Sequence, residues 1–257
     1  MSIKSKVLAA AATLTLVGGA GAAGVLGAGT ASAATPSCGG SCIDIFSHQF
    51  GTHHSPNYVV DVLRQGEKVG QPVILFRTAN FDPAEDWTLA FQGTTADFFA
   101  AGLVSSSVAL HYGCIGGVNF PDCYGNPKAT VNDPAFEIEY APFGVDSGLC
   151  MGVAATAFND EGVTLQPCGV SSKTVWIDDI FDSLNTLFQG YIPVINGSDT
   201  NFSQPFVLTY PNDSFPTDKP RPQLFVNNLT GFSQGRGLQI GSVDDTQLWG
   251  ADEGVLR

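Results

Sequence analysis

The stretch GLCMGVAATAFNDEGVTLQPCGVSSKTVW, residues 148–176, decides the fold because its pattern recurs along the chain. An apolar segment is followed by a polar turn and then by a tryptophan. The chain has three tryptophans, Trp87, Trp176 and Trp249, and each of them closes such a stretch. This recurrence indicates one supersecondary unit used three times, with insertions of different length between the copies.

A second echo supports the repeat. The tripeptide Phe-Gln-Gly occurs at 91–93 and again at 188–190, and an apolar run follows each copy, at 108–112 and at 206–210. We therefore predict a strand at both runs.

The chain reads as an all-β protein. Short runs rich in Val, Ile, Leu, Phe and Tyr alternate with clusters of Gly, Pro, Asn, Asp and Ser, which is typical of strands joined by turns. Besides 206–210, the clearest predicted strands are 58–63, 73–77, 163–166 and 224–227. The segments 113–134 and 211–222 are rich in Gly, Pro and Asp, and we predict surface insertions there.

One further strand is predicted at Phe136–Tyr140, where apolar residues alternate with Glu137 and Glu139. Alternation of period two places the two glutamates on one face of a strand. We predict that this face is exposed to solvent and that the glutamates have no catalytic role.

Residues 1–34 are typical of a secretory signal peptide. Lys4 and Lys6 precede a long apolar run, and small residues occupy the positions before Thr35. We predict that this segment is removed and that residues 35–257 form one secreted, extracellular domain without membrane insertion. A membrane anchor is the alternative, but the run is rich in glycine and has no basic flank after it.

The mature protein is strongly acidic. The full chain has a formal charge of −13, and removal of residues 1–34 takes away two lysines and no acid, which gives −15. Such a field repels phosphate backbones and anionic headgroups, so we expect neither nucleic acid nor a membrane surface as a partner.

Six cysteines suit an oxidising compartment and allow three disulfides. Neighbours in sequence favour three pairs: Cys38 with Cys42, Cys114 with Cys123, and Cys150 with Cys168. A zinc site is the alternative, but paired CxxC spacings and nearby histidines are missing.

The stretch 148–176 resembles one lobe of a ricin B-type β-trefoil lectin. In that family a Gly-Leu-Cys strand and a second cysteine before a QxW segment form a disulfide within the lobe, which corresponds to Cys150 and Cys168. Gln247, Leu248 and Trp249 form a literal QxW. The resemblance implies a single β-trefoil-like domain of three degenerate lobes with long loop insertions, at about 38–92, 93–178 and 179–257.

The resemblance also implies where a sugar would bind. The family uses an aspartate after the first strand of a lobe, an aromatic platform, and Asn or Gln near QxW. In the first lobe Asp61 matches the aspartate, Phe76 matches the platform, and Glu85 is the one polar partner. We predict these three residues as the ligand-binding site.

The other two lobes match the sugar-binding pattern less well. The second has Gly152 and Gln166 at the aspartate and aromatic positions, which predicts no pocket. In the third, Gln239 and Gln247 are retained and Asn227 lies near the aspartate position, but Gly241 replaces the ring. We predict weaker binding there.

Other constellations favour ordinary surface roles. His48, His53 and His54 lack the spacing of metal ligands, and Asp178, Asp179 and Asp182 lack the glycine of a calcium loop. Ser147 has no recognisable oxyanion or histidine context, with His111 the candidate base. We predict no metal, no cofactor and no catalytic residue.

The leading hypothesis is therefore a secreted, non-catalytic protein that binds an extracellular glycan. The alternative is a protein-binding trefoil, such as a protease inhibitor, that acts through the insertion at 113–134 or 211–222. A secreted hydrolase is a third hypothesis.

Overall fold

Strands dominate the described part of the chain, which comprises residues 42–52, 55–79, 82–113, 133–178, 191–211, 221–233, 237–238 and 243–253 of a computed structural model. All of these residues belong to the compact unit Thr35–Arg257. The strands are β1 (Ile43–Ser47), β2 (Gly51–Thr52), β3 (Ser55–Pro56), β4 (Tyr58–Val62), β5 (Val73–Arg77), β6 (Trp87–Thr94), β7 (Pro134–Tyr140), β8 (Leu149–Val153), β9 (Glu161–Pro167), β10 (Val175–Asp178), β11 (Val194–Asn196), β12 (Phe206–Thr209), β13 (Phe225–Asn228), β14 (Phe232–Ser233), β15 (Gly237–Leu238) and β16 (Trp249–Glu253). The helices are α1 (Thr95–Ala100) and α2 (Ser106–Tyr112).

Seven of these strands close into a barrel. The main sheet runs in the order β10-β11-β12-β13-β9-β8-β7-β6-β1-β16, and β10 also pairs with β7. Strands β7 to β13 thus form a closed ring, which removes the free edges that an open sheet would leave. The predicted all-β class is confirmed.

Three hairpins carry the tryptophans' hydrogen-bond partners. We call them the first, second and third units: β4–β5 with Trp87, β8–β9 with Trp176, and β12–β13 with Trp249. The indole nitrogens donate to the carbonyls of Val60 (2.9 Å), Met151 (2.9 Å) and Leu208 (2.8 Å). A short 3₁₀ turn comes shortly before each tryptophan, at Pro83–Glu85, Ser172–Thr174 and Asp245–Gln247. The closed barrel and these matching hydrogen bonds make the fold β-trefoil-like.

The three hairpins also bind one another through their backbones. The Gly70 nitrogen donates to Leu165 (2.8 Å), that of Val163 to Leu224 (2.8 Å), and that of Leu224 to Val73 (2.9 Å). Each unit thereby contacts the other two, so these bonds hold the three hairpins together.

The core has two parts. One cluster contains all three tryptophans, which are 0%, 0% and 2% exposed, together with the inward residues of the hairpins. Each tryptophan therefore fills the interior and satisfies its own polar atom there. The second cluster lies under α1 and α2 and includes Phe98, Val108 and Tyr112.

The predicted strand at 108–112 is wrong, because these residues form the end of α2. Val108, Ala109 and Tyr112 are buried, a spacing that fits helical rather than strand periodicity. The Ser105 hydroxyl caps the helix by accepting from the Val108 nitrogen. Thr94 and Asp97 form a capping box on α1.

The predicted exposure of Glu137 and Glu139 is also wrong. Their residues are 1% and 6% exposed. Glu139 accepts from the Gly148 nitrogen (2.6 Å), and Glu137 accepts from the Gly169 nitrogen (2.9 and 3.0 Å). Loops of the second unit cover the outer face of β7, and the two carboxylates hold the backbone of those loops.

The other strand predictions agree with the structure to within about two residues. The disulfide Cys150–Cys168 is present with a Cα–Cα distance of 5.0 Å. Cys42 is also disulfide-bonded, whereas Cys38, Cys114 and Cys123 lie outside the described residues, so their pairing stays a prediction. Within the described ranges, no helix is long and apolar enough to cross a membrane.

Candidate functional site

Cross-strand register shows which residues are equivalent in the three units. The residue after the tryptophan-bound carbonyl is Asp61, Gly152 or Thr209. Two residues before each of these lie Val59, Cys150 and Val207. Their partners on the neighbouring strand are Phe76, Gln166 and Asn227. The residue two before the tryptophan is Glu85, Thr174 or Gln247. The three sets correspond, in this order, to the aspartate, platform and QxW positions that the resemblance to ricin B-type lobes predicts.

In the first unit the predicted residues do come together. Asp61 pairs with Ile74 and Phe76 pairs with Val59, so Asp61 and Phe76 are diagonal neighbours on the same face of the hairpin. Carboxylate oxygens of Asp61 and Glu85 lie within 4.8 Å of each other and of Asp82. Asp82 is a member of this cluster that the sequence analysis missed.

Burial governs the electrostatics of the cluster. Asp61 is 1% exposed, and its Oδ1 has no hydrogen-bond partner. Desolvation, with Asp82 nearby as a second cause, raises the pKa of Asp61 to about 7, although Arg221 acts in the opposite direction. A buried carboxylate oxygen without a hydrogen-bond partner is costly, and Tyr140 Oη and Asp178 Oδ1 share this property.

The predicted platform is covered by another side chain. The guanidinium carbon of Arg221 lies 3.9 Å from the centre of the Phe76 ring, a cation–π contact. A sugar that stacked on Phe76 would therefore have to displace Arg221, which is exposed.

Glu85 has a structural task that it shares with Gln247. Its Oε1 accepts from the Ala79 nitrogen (2.8 Å), three residues after Phe76. In the third unit Gln247 Oε1 accepts from the Thr230 nitrogen (2.8 Å), three residues after Asn227. The QxW position thus holds the backbone where the chain leaves the hairpin.

The second unit performs this task with a residue from another strand. Three residues after Gln166, the Gly169 nitrogen donates to Glu137 on β7, and Thr174 donates to the same carboxylate (2.5 Å). A Cβ on Gly152 would lie 2.6 Å from the Lys173 carbonyl oxygen. Backbone therefore fills the place of the aspartate, and the second unit has no room for a pocket there.

The third unit has an open polar cavity of about 250 Å³. Its walls are formed by Thr209, Tyr210, Pro211, Asn227, Asn228, Thr230, Asp244, Thr246 and Gln247. The cavity thus contains the aspartate, platform and QxW positions of this unit together.

The hydrogen bonds of this cavity show which groups remain for a ligand. Gln247 uses all four of its positions, because it accepts from the Thr230 nitrogen and hydroxyl and donates to the Thr209 hydroxyl and the Asn228 carbonyl. Asn227 accepts from the Asp160 nitrogen (2.7 Å) through Oδ1. The amide nitrogen of Asn227 therefore remains available to donate to a ligand. Asp244 Oδ1 caps Thr246, and the second oxygen of this exposed carboxylate is left over too.

Two placements in the third unit differ from the sequence analysis. Asn227 is opposite Val207 and holds the platform position, so Thr209, not Asn227, lies at the aspartate position. The reason is that β12, not β13, supplies the carbonyl bound by the tryptophan. Gln239 and Gly241 lie outside the described residues.

The remaining candidates have local contacts of their own. The Ser147 hydroxyl donates to the Tyr140 carbonyl within the β7–β8 turn, and the His111 ring stacks on Phe202 at 4.2 Å. His48 lies 3.1 Å from Asp245 and beside Tyr191, whereas His53 and His54 lie outside the described residues. Burial raises the pKa of Asp178 to about 6, and Asp179 and Asp182 lie outside the described residues.

Comparison with known proteins adds structural likenesses only. No protein-family model matches the chain, and no curated protein matches it in sequence. Among solved structures, the designed three-fold symmetric protein ThreeFoil is 12% identical, with a TM-score of 0.46 over 82% of this chain and 97% of that chain.

Two natural proteins align over a similar part of the chain. The exo-β-1,3-galactanase 1,3Gal43A from Clostridium thermocellum is 12% identical, with a TM-score of 0.47 over 83% of this chain and 30% of that chain. A mosquitocidal holotoxin is 12% identical, with a TM-score of 0.44 over 83% of this chain and 17% of that chain. The chain thus spans less than a third of either protein.

Proposed function

We propose that the chain is a secreted, non-catalytic protein that binds a neutral carbohydrate in the cavity of the third unit. The proposal includes the signal peptide at 1–34 and three lobes at about 38–92, 93–178 and 179–257. Each proposed lobe contains one hairpin and one tryptophan, which supports these boundaries.

One observation carries the proposal, namely the composition of the 250 Å³ cavity. It offers the Asn227 amide nitrogen as a donor and an Asp244 oxygen as an acceptor. Neighbouring sugar hydroxyls can each donate and accept, so a donor and an acceptor in one concavity suit a pair of them. The rigid bonds of Gln247 hold the walls and spare a ligand the cost of ordering them.

Charge and shape define the ligand further. A formal charge of −15 after loss of residues 1–34 disfavours sulfated or uronate-rich glycans, so the ligand is neutral. Because Asn227 replaces the stacking ring, affinity for one sugar is weak, about millimolar, and recognition depends on hydroxyl groups.

The experiment is a screen of neutral glycans followed by calorimetric titration of the best ligand against Asn227→Asp. Aspartate retains the oxygen that accepts from Asp160 but loses the free amide donor. We expect binding to weaken at least tenfold while the melting temperature stays within about 3 °C of the wild type.

Asn159→Asp is the matched control. Asn159 also accepts a backbone hydrogen bond, from the Asn228 nitrogen (2.9 Å), but it does not line the cavity. Its variant should bind like the wild type. Equal weakening by both variants, or no glycan binding at all, would overturn the proposal. Phe76→Ala tests the predicted first-unit site, and loss of binding in that variant alone would move the ligand to Phe76.

A further inference from the structure

The first unit carries a cluster of three carboxylates, and Arg221 is a cation that acts on one of them, Asp61. Ligand oxygens of Asp61, Asp82 and Glu85 all lie within 4.8 Å of one another. Asp61 and Glu85 are each 1% exposed, and Asp82 is half-buried. We propose that Asp61, Asp82 and Glu85 bind a calcium ion at the end of the first hairpin.

A second, independent observation points to a ligand at this place. Asp61 Oδ1 is a buried oxygen with no hydrogen-bond partner. Buried polar atoms in native proteins nearly always have a partner, and the exceptions call for an ion, a water or a functional role. A cation bound by the neighbouring carboxylates would give this oxygen its missing contact.

The fold holds the other two ligands in place without a cation. Asp82 Oδ1 accepts from the Ala84 nitrogen (3.0 Å) and from Gln65 Nε2 (3.0 Å). Glu85 Oε1 accepts from the Ala79 nitrogen (2.8 Å). Two short segments, 63–65 and 82–85, are thereby fixed around Asp61, so an ion meets a preformed group of oxygens.

The chemistry of the ligands selects the ion. The set contains only carboxylate oxygens, which favours calcium or magnesium over zinc and copper. Magnesium is usually bound by one or two carboxylates and keeps several of its waters, so a group of three carboxylates favours calcium. Three protein ligands leave room for water, as in weak extracellular calcium sites with dissociation constants of about 0.1–1 mM.

The test is a thermal melt of the purified protein, stripped with EDTA, dialysed, and then titrated with CaCl₂ against KCl of equal ionic strength. For the wild type we expect the melting temperature to rise by about 3–6 °C at 10 mM calcium. Asp61→Asn should lose most of this rise. Magnesium at the same concentration should give less than half of the rise.

Two further variants keep the test decisive if Asp61→Asn does not fold. Glu85→Gln preserves an acceptor for Ala79, as Gln247 does for Thr230, and should weaken calcium binding at least tenfold by titration calorimetry. Asp199→Asn changes a carboxylate that is equally buried but bound to the Asn201 and Phe206 nitrogens, outside the cluster. It should retain the full calcium shift.

Absence of a calcium shift in the wild type would overturn the proposal and indicate that the cluster shares a proton instead. A shift of equal size in the wild type, Asp61→Asn and Glu85→Gln would overturn it as well. The glycan assay uses a different unit and is run in EDTA, so failure of either proposal leaves the other unaffected.

Discussion

The first and third units share one scaffold and differ in what they enclose. In both, an indole nitrogen binds the carbonyl before the aspartate position, and the QxW side chain accepts from the backbone three residues after the platform position. In the first unit that side chain is Glu85 beside two more carboxylates, and in the third it is Gln247 beside an open polar cavity.

The difference shows that, in these hairpins, the residues that stabilise the fold are not the residues that decide whether a site is present. The tryptophan and the QxW position hold the hairpin, and they are satisfied inside the protein in both units. The residues at the aspartate and platform positions differ between the units. The first unit has a carboxylate cluster there, the second has packed backbone, and the third has a polar cavity. A QxW match therefore predicts a scaffold and does not by itself predict a ligand.

The largest expected effect comes from the tryptophans, and it tests whether the two units are equivalent. Trp87→Ala and Trp249→Ala should each lower the free energy of unfolding by about 3–5 kcal/mol, because each leaves a cavity and an unpaired carbonyl. Trp249 also lines an apolar cavity of about 220 Å³, which its removal would enlarge. Urea unfolding measures both, and a near-neutral result for either residue would contradict the shared scaffold.

An exchange of the QxW side chains should give unequal costs. Gln247→Glu keeps the acceptor for Thr230 but loses both donors, to Thr209 and Asn228, and buries a charge. We expect a loss of about 3 kcal/mol. Glu85→Gln keeps its contact with Ala79 and removes one of three neighbouring charges, so its cost should stay below about 1 kcal/mol in EDTA.

Urea unfolding at pH 7 compares these two variants with the wild type. Equal costs would mean that the two positions do the same task in the same surroundings, and the comparison between the units would fail.

An effect smaller than that of Gln247→Glu extends the comparison to the second unit, through Asp178 on β10. Desolvation raises the pKa of Asp178 in the folded protein to about 6, above its ordinary value of 3.8. The folded state therefore binds the proton more tightly, and the stability that this contributes is present below pH 4 and lost as pH rises through 6. The free energy of unfolding of Asp178→Asn, relative to that of the wild type, should therefore rise by about 2 kcal/mol as pH goes from 4 to 7.

Unfolding curves at several pH values check this effect, with Asp146→Asn as an exposed control that should follow the wild type. A constant difference between Asp178→Asn and the wild type across this pH range would contradict the burial effect.

Features that depend on spacing and residue type could be predicted from the sequence. The tryptophans, the disulfide Cys150–Cys168 and the strands at 58–63 and 73–77 follow from local pattern alone. The diagonal placement of Asp61 and Phe76 on one hairpin could also be predicted, because cross-strand neighbours are fixed once the strands are known.

Features that depend on distant contacts could not be predicted. Alternation at β7 indicates two faces, but burial of Glu137 requires a loop 32 residues away to cover it. Arg221 reaches Phe76 from the third unit, and no local pattern connects them. The strand predicted at 108–112 is wrong for a different reason, because Ser105 is a local capping residue that begins a helix there.

The backbone packed against Gly152 limits how many ligands one molecule can hold. Lectins that cross-link cells or polysaccharides need several sites on each molecule. Here the Lys173 carbonyl fills the second position, so no single substitution can open a site there. If the third unit binds sugar as proposed, a chain with that one site would hold a glycan without bridging it to another, and an engineered multivalent form would require rebuilding the turn at Ser172–Thr174.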